Sequence, residues 1–232
     1  MVEPRFNWRV LQDGQLPLRP DKQVDLSAEH RCTTLLVWPV DAPPSAANTV
    51  VVDPCFTSAG SQVAQAQLAG LNVSFEILRR TFVTHPHHDH LPHLPREMPP
   101  IQFQEILFGP EMPPGMKLVH CPGHDFPLMA LVFTAADGLP VWVVGDAILD
   151  EEWLRAWGYY WPNGYTPDAV AETWRSVARI VSGAAIIVPG HGPAFAVTAD
   201  LVRHLLETFP SAAYANLCPS VESQLQARLE SL

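Results

Sequence analysis

Half of the ten histidines of this chain lie between residues 85 and 93, and this stretch restricts the fold more than any other feature. The stretch follows the apolar segment 77–83, which predicts a buried strand. Eight prolines between residues 86 and 114 exclude a long helix or a central strand there. A polar loop that follows a buried strand is a common position for functional residues. We therefore expect a functional site in the loop that follows this predicted strand.

The segment THPHHDH, residues 84–90, has the spacing of a metal-binding motif. In an extended turn, residues two apart point the same way, so His85 and His87 can converge on one ion. Asp89 and His90 then turn toward a second ion. Imidazoles with a carboxylate suit zinc, iron, nickel or manganese. A surface loop with structural histidines is the competing interpretation, which this spacing after an apolar strand disfavours.

Three further predicted strands end in a residue of the same kind. Segments 117–121 and 185–188 are each followed by Pro-Gly-His, which brings in His124 and His191, and segment 141–144 is followed by Gly145 and Asp146. Glycine allows a sharp turn and a close approach of the backbone to a ligand. Functional groups collect at strand ends in layered α/β proteins. Together the four strand ends predict a metal centre.

The remaining segments predict strand–helix alternation without a linker, a repeat or a break in composition, so we expect one α/β domain over residues 1–232. Strands are also predicted over residues 32–38, 49–52, 101–108 and 128–134. Helices are predicted over residues 58–71, 150–157, 167–182, 198–209 and 221–229.

The order and spacing of these residues resemble the metallo-β-lactamase superfamily, from Asp53 to about Pro193. The resemblance implies a four-layer αββα sandwich of two mixed β-sheets flanked by helices. It also implies an assignment of metal ligands. The first ion would be held by His85, His87 and His124, the second by Asp89, His90 and His191, with Asp146 bridging them.

The resemblance implies a metal-dependent hydrolase with two divalent ions, zinc being favoured over iron, manganese or nickel. A hydroxide shared by the ions would attack an ester, lactone, thioester or phosphodiester of a small molecule. Asp89 would also pass a proton to the leaving group. True β-lactamases of the superfamily lack either the second-site histidine or the bridging aspartate, and this chain has His90 and Asp146.

Two alternatives remain open. A mononuclear iron enzyme similar to the persulfide dioxygenases would use His85, His124 and Asp146, a set of two histidines and one carboxylate. A non-catalytic member that only binds a ligand would keep the same residues. Metal content and oxygen uptake separate the first alternative from the hydrolase.

The charge of the chain restricts its partners. The formal net charge is −10, and Lys22 and Lys117 are the only lysines. Nucleic acids and anionic membranes are bound mainly through basic side chains, so we expect neither as a partner. Four widely separated cysteines and the lack of a signal peptide or apolar span predict a cytoplasmic protein. Homo-oligomerisation stays open.

Six of the 21 aromatic residues lie between Trp153 and Tyr165. Trp153 and Trp157 are spaced for one helix face, which favours ordinary packing for these two. The glycines and proline that follow predict a loop. We expect this loop to cover the metal site and to favour an apolar acyl or aromatic substrate. Tyr160 and Tyr165 are the candidate donors to the oxyanion.

Overall fold

A computed structural model describes residues 3–96, 98, 105–106, 111–160 and 166–232. The first part of the chain forms a five-stranded sheet in the order β1-β2-β3-β4-β5. Its strands are β1 (Phe6–Gln12), β2 (Thr34–Pro39), β3 (Val50–Val52), β4 (Arg80–Phe82) and β5 (Glu105–Ile106). The pairs β1/β2 and β2/β3 are antiparallel, whereas β3/β4 and β4/β5 are parallel.

The second part forms another five-stranded sheet, in the order β10-β9-β8-β7-β6. Its strands are β6 (Lys117–His120), β7 (Met129–Thr134), β8 (Pro140–Gly145), β9 (Ile186–Pro189) and β10 (Phe195–Ala196). Only the β8/β9 pair is parallel among the strand pairs described in this sheet. Both sheets are therefore mixed.

Helices cover the outer face of each sheet. They are α1 (Ser58–Gly70), α2 (Glu151–Arg155), α3 (Pro167–Gly183), α4 (Ala199–Thr208) and α5 (Ser220–Ser231). Helix α1 packs on the first sheet, and α2 to α5 pack with the outer face of the second. Within the described ranges, no helix combines the length and the apolar character needed to cross a membrane.

The strands alternate their side chains between two cores, as a sheet covered on both faces requires. Val50 and Val52 of β3 point to the core between the sheets, where they meet Leu131 and Val141 of the other sheet. Val51 points outward to the α1 side. The layers are thus helix, sheet, sheet and helix, which confirms the predicted αββα sandwich.

Several predicted boundaries of strands and helices are wrong. The predicted strand 77–83 is shorter, because the Ser74 side chain caps a 3₁₀ turn, Phe75–Ile77, and the strand begins only at Arg80. The predicted helix 150–157 ends at Arg155. Strands β1 and β10 were not predicted. Most of the predicted strand 101–108 lies outside the described residues, and within it Glu105–Ile106 is a strand.

Candidate metal centre

The four strand ends meet at one edge of the sandwich. The loop after β4 carries the residue 84–90 motif, and the ends of β6, β8 and β9 contribute His124, Asp146 and His191. The first sheet therefore supplies one strand end and the second sheet three. All seven predicted ligand residues lie in this region, and five of them are buried. His87 and Asp89 are partly exposed, so the site opens to solvent on their side.

The first group of ligand atoms consists of His85, His87, His124 and Asp146. Nδ1 of His87 lies 3.0 Å from Nε2 of His85 and 3.0 Å from Nε2 of His124. Oδ2 of Asp146 lies 3.8 Å from Nε2 of His85 and 3.3 Å from Nε2 of His124. Tetrahedral ligands at the usual zinc–nitrogen distance are about 3.3 Å apart, so these four atoms fit around one ion.

The second group shares Asp146 with the first. Oδ1 of Asp146 lies 3.2 Å from Nε2 of His90 and 3.2 Å from Nε2 of His191. Oδ2 of Asp89 lies 3.5 Å from Nε2 of His191 and 3.9 Å from Nε2 of His90. Asp146 thus directs one carboxylate oxygen to each group, which is the arrangement a bridging ligand needs.

A histidine that the sequence analysis missed stands beside the second group. His30, in the segment between β1 and β2, has its Nε2 2.9 Å from Oδ2 of Asp89. With Asp89 and His191 it forms a further set of donor atoms that are close enough to hold an ion. The signal that could have found it is weak, since a single histidine in a polar segment matches no motif.

Four of the imidazoles direct Nε2 into the centre and form a hydrogen bond through Nδ1, which fixes the orientation of the ring. Nδ1 of His124 donates to the carbonyl of Tyr160 at 2.7 Å, and Nδ1 of His191 donates to the carbonyl of Arg31 at 2.9 Å. Nδ1 of His85 donates to the Thr84 hydroxyl at 3.1 Å. Such bonds place the proton on Nδ1 and leave the Nε2 lone pair for a metal.

Asp53 holds the fourth imidazole and organises the loop. Its Oδ2 accepts from Nδ1 of His90 at 2.8 Å and from the Thr84 hydroxyl at 2.7 Å, and its Oδ1 accepts from the Thr84 amide at 2.8 Å. Asp53 itself has φ of +46°. Aspartate and asparagine tolerate this left-handed region better than most residues. The residue after β3 thus fixes the histidine loop after β4.

We expect Asp53→Ala to lower the free energy of unfolding by about 3 kcal/mol or more, because it removes the acceptor of a buried pair. Asp53→Asn has a different expected result. The Thr84 amide needs the amide oxygen, so the new NH₂ group faces His90 and moves the His90 proton to Nε2. Stability falls less, whereas metal affinity at the second group falls about 10- to 100-fold. Denaturant unfolding and metal titration measure the two effects.

Asp137→Asn, in the exposed β7–β8 turn, is the control for this pair of variants, since the Asp137 side chain accepts from the Leu139 amide, away from the candidate centre. Parental metal affinity in Asp53→Asn would contradict the assigned role of Asp53 in orienting His90.

Burial and the carboxylate of Asp146 set the protonation states of the imidazoles in the site. Burial lowers the pKa of His85 to about 2, so this imidazole is neutral. Burial by itself raises the pKa of Asp146, but the imidazoles of His191, His90 and His124 outweigh it and hold that pKa well below its usual value. Burial alone would lower the pKa of His90 and of His191, but the carboxylate of Asp146 outweighs it and raises both, so a metal ion that binds these imidazoles displaces their protons.

Among the described residues, two buried atoms of the second group have no hydrogen-bond partner, namely Nε2 of His90 and Oδ1 of Asp146. They lie 3.2 Å apart and face each other. Two buried polar atoms that face each other without a hydrogen bond are costly. A divalent cation between the two atoms satisfies both. The donor set therefore fits the metal ions that the resemblance implies.

The aromatic residues that the structure describes between positions 153 and 165 have two different surroundings, the hydrophobic core and the candidate metal centre. Trp153 and Trp157 are buried in the helical layer, as their spacing favours. Tyr160 is partly exposed and lines a cavity beside His124 and Asp146. The cavity is narrow, about 20 Å³, which is room for about one water molecule. Tyr165 lies outside the described residues.

The chain is similar to known proteins in its fold, whereas the two sequence comparisons found no match. No protein-family model matches the chain, and no curated protein matches it. A solved structure of a probable metal-dependent hydrolase from Staphylococcus aureus matches with a TM-score of 0.58 at 13% identity, over 82% of this chain and 91% of that one. A metallo-beta-lactamase family protein from Thermus thermophilus matches with a TM-score of 0.52 at 15% identity, over 97% of this chain and 92% of that one.

A third structure, of an N-acyl homoserine lactone hydrolase, matches with a TM-score of 0.53 at 15% identity, over 82% of this chain and 94% of that one. That protein was solved with N-hexanoyl-L-homoserine bound at its catalytic metal centre. These likenesses confirm the resemblance stated above at the level of structure. The chain has the metallo-β-lactamase fold.

Proposed function

We propose that the protein is a metal-dependent hydrolase that uses two divalent ions, with zinc as the first candidate. The observation that carries the proposal is the carboxylate of Asp146, whose two oxygens face two separate groups of imidazoles. The metal-dependent hydrolase and the lactone hydrolase among the matched structures support the same class of reaction. The substrate class we propose is an ester, lactone, thioester or phosphodiester of a small molecule.

The residues have distinct proposed roles. His85, His87 and His124 would hold one ion and His90, His191 and Asp89 the other, with Asp146 between them. Bound divalent ions lower the pKa of water and polarise a carbonyl or phosphoryl oxygen. The buried imidazoles keep their Nε2 atoms aimed inward through fixed Nδ1 bonds. Asp89, at the partly exposed side of the site, would pass a proton to the leaving group.

The wall of the neighbouring cavity supports an apolar or aromatic substituent on the substrate. Ile148 and Trp153 line it together with Tyr160, next to His124 and Asp146. Its volume of about 20 Å³ leaves room for a short apolar group. Such a wall orients a substrate through contact area while the polar centre recognises its ester or phosphoryl group.

Elemental analysis of the protein purified without added metal tests the proposal, together with a panel of esters, lactones, thioesters and phosphodiesters. We expect about two ions per chain, hydrolysis of at least one bond class and no oxygen uptake. A chelator should remove the activity and zinc should restore it. One iron per chain with oxygen uptake would instead support the dioxygenase. Tight binding without turnover of any substrate would support the non-catalytic alternative.

Tyr160→Phe tests the proposed oxyanion donor. The carbonyl of Tyr160, which accepts from His124, is kept in the variant, so we expect unchanged metal content and stability. Turnover should fall about 100-fold if the hydroxyl meets the developing oxyanion. Tyr214→Phe is the control, because Tyr214 is exposed and precedes the 3₁₀ segment Ala215–Leu217. Equal turnover of Tyr160→Phe and the parent on every substrate would reduce Tyr160 to a packing residue. Tyr165→Phe is the parallel experiment for the other candidate.

A further inference from the structure

His30 lies where the segment between β1 and β2 crosses the mouth of the second ligand group. Its Nε2 is 2.9 Å from Oδ2 of Asp89, a hydrogen-bond distance, and its side chain is 41% exposed. The His88 ring is next to the same carboxylate in the chain, but its Nδ1 is 3.8 Å from Oδ1 and its side chain is 90% exposed. Of these two neighbouring imidazoles, only His30 is within bonding distance of Asp89.

The backbone beside His30 is fixed to the metal centre. The Arg31 carbonyl accepts from Nδ1 of His191 at 2.9 Å, and the Thr33 amide donates to the Gly190 carbonyl at 2.7 Å. Gly14 lies against the His191 backbone so closely that a Cβ there would be 2.6 Å from the His191 Cα. The segment is therefore held to the same strand end that carries His191, and His30 is not on a free loop.

Asp89 is less enclosed by the protein than the two histidines of the second group. Its side chain is 15% exposed, whereas those of His90 and His191 are almost fully enclosed. Its Oδ2 is 3.5 Å from Nε2 of His191, so the atom that His30 contacts is also the one that faces the second group. A carboxylate that ligates a metal is commonly held by a further hydrogen bond, and losing that bond weakens metal binding.

We propose that His30 is a positioning residue of the second ion site, in which Nε2–H of His30 donates to Asp89 and holds that carboxylate beside His191. The inference rests on the proposed dinuclear centre. The affinity of the second site for its ion then depends on His30, which lies in the sequence before all of the predicted metal ligands. The first site, formed by His85, His87, His124 and Asp146, does not depend on it.

The test compares the parent with His30→Ala, His30→Gln and His88→Ala, each as the full chain stripped of metal. Each protein is titrated with cobalt(II) and with zinc. Binding is measured by calorimetry and, for cobalt(II), by the visible spectrum. We expect two ions in the parent. In His30→Ala, the affinity for the second ion should fall about 10- to 100-fold while that for the first stays parental. His88→Ala should match the parent.

His30→Gln separates positioning from ligation, because glutamine can donate the same hydrogen bond but is a poor ligand for zinc or cobalt. We expect it to recover most of the second-ion affinity and the parental cobalt spectrum. Parental affinity in His30→Ala would overturn the proposal. So would a His30→Gln variant as weak as His30→Ala, since the imidazole lone pair would then be the essential group. A parent that binds fewer than two ions would contradict the dinuclear centre as well.

Discussion

Asp146→Ala is expected to lose more than about 100-fold in hydrolytic turnover, beyond the range seen when only a residue behind a metal ligand is removed. The reason is that one side chain supplies an oxygen to each group, Oδ2 to His124 and Oδ1 to His90 and His191. Removing it leaves the first set of imidazoles without a carboxylate and the second set with Asp89 alone to balance the charge of the ions. Elemental analysis should show fewer than two ions per chain.

Asp125→Ala is the matched control for this variant. Asp125 follows His124 in the chain, and its side chain accepts from the amide of Phe126 at 2.8 Å. We expect parental metal content and turnover from the control. If Asp146→Ala kept full activity and full metal content, the dinuclear model would be wrong.

Gly190→Ala should displace the Asp146 carboxylate, because the added methyl group would occupy the space next to it. A Cβ at Gly190 would lie 2.0 Å from Oδ1 of Asp146 and 2.9 Å from the carbonyl carbon of Gly145. The backbone cannot withdraw, because the Gly190 amide donates to the Ile148 carbonyl and its own carbonyl accepts from the Thr33 amide. We expect loss of the second ion, a fall in turnover of at least about tenfold, and about 1–3 kcal/mol less stability from overpacking.

Gly70→Ala is the control for Gly190→Ala, since a Cβ at the end of α1 meets no atom within 4 Å. Alanine there should leave metal content unchanged and should stabilise the helix by up to about 1 kcal/mol. Metal titration and denaturant unfolding of both variants make the comparison. A Gly190→Ala protein with parental metal affinity would contradict the close approach of the two strand ends.

The residues of the candidate centre could be predicted because each follows a local signal. An apolar run that stops at Pro-Gly-His or Gly-Asp marks both a strand end and a polar side chain at that end. Strands that run in the same direction, as β6, β8 and β9 do, bring such ends to one edge. His124, Asp146 and His191 are examples. Which group each residue would join depended on the resemblance, because spacing alone does not fix which side of the edge a side chain faces.

Other features depend on contacts that no local pattern encodes. His30 is one polar residue in a polar segment, and its partner Asp89 is far away in the chain. Strand β1 was missed because it ends in the polar Gln12, whose buried side chain bonds the Cys32 and Cys55 carbonyls. The strand predicted from Ile77 was wrong at its start, since the cap at Ser74 outweighs the strand preference of that β-branched residue.

The donor atoms come from strand ends of both sheets, and this arrangement makes an ion a cross-link between the two halves of the sandwich. Thermodynamic linkage then ties the unfolding equilibrium to free metal, because ions that bind only the folded chain stabilise it by about 2.7 kcal/mol at 100 times the dissociation constant. The melting temperature is therefore a property of the protein together with its metal buffer. Two preparations of identical chains that differ only in residual zinc would unfold at different temperatures.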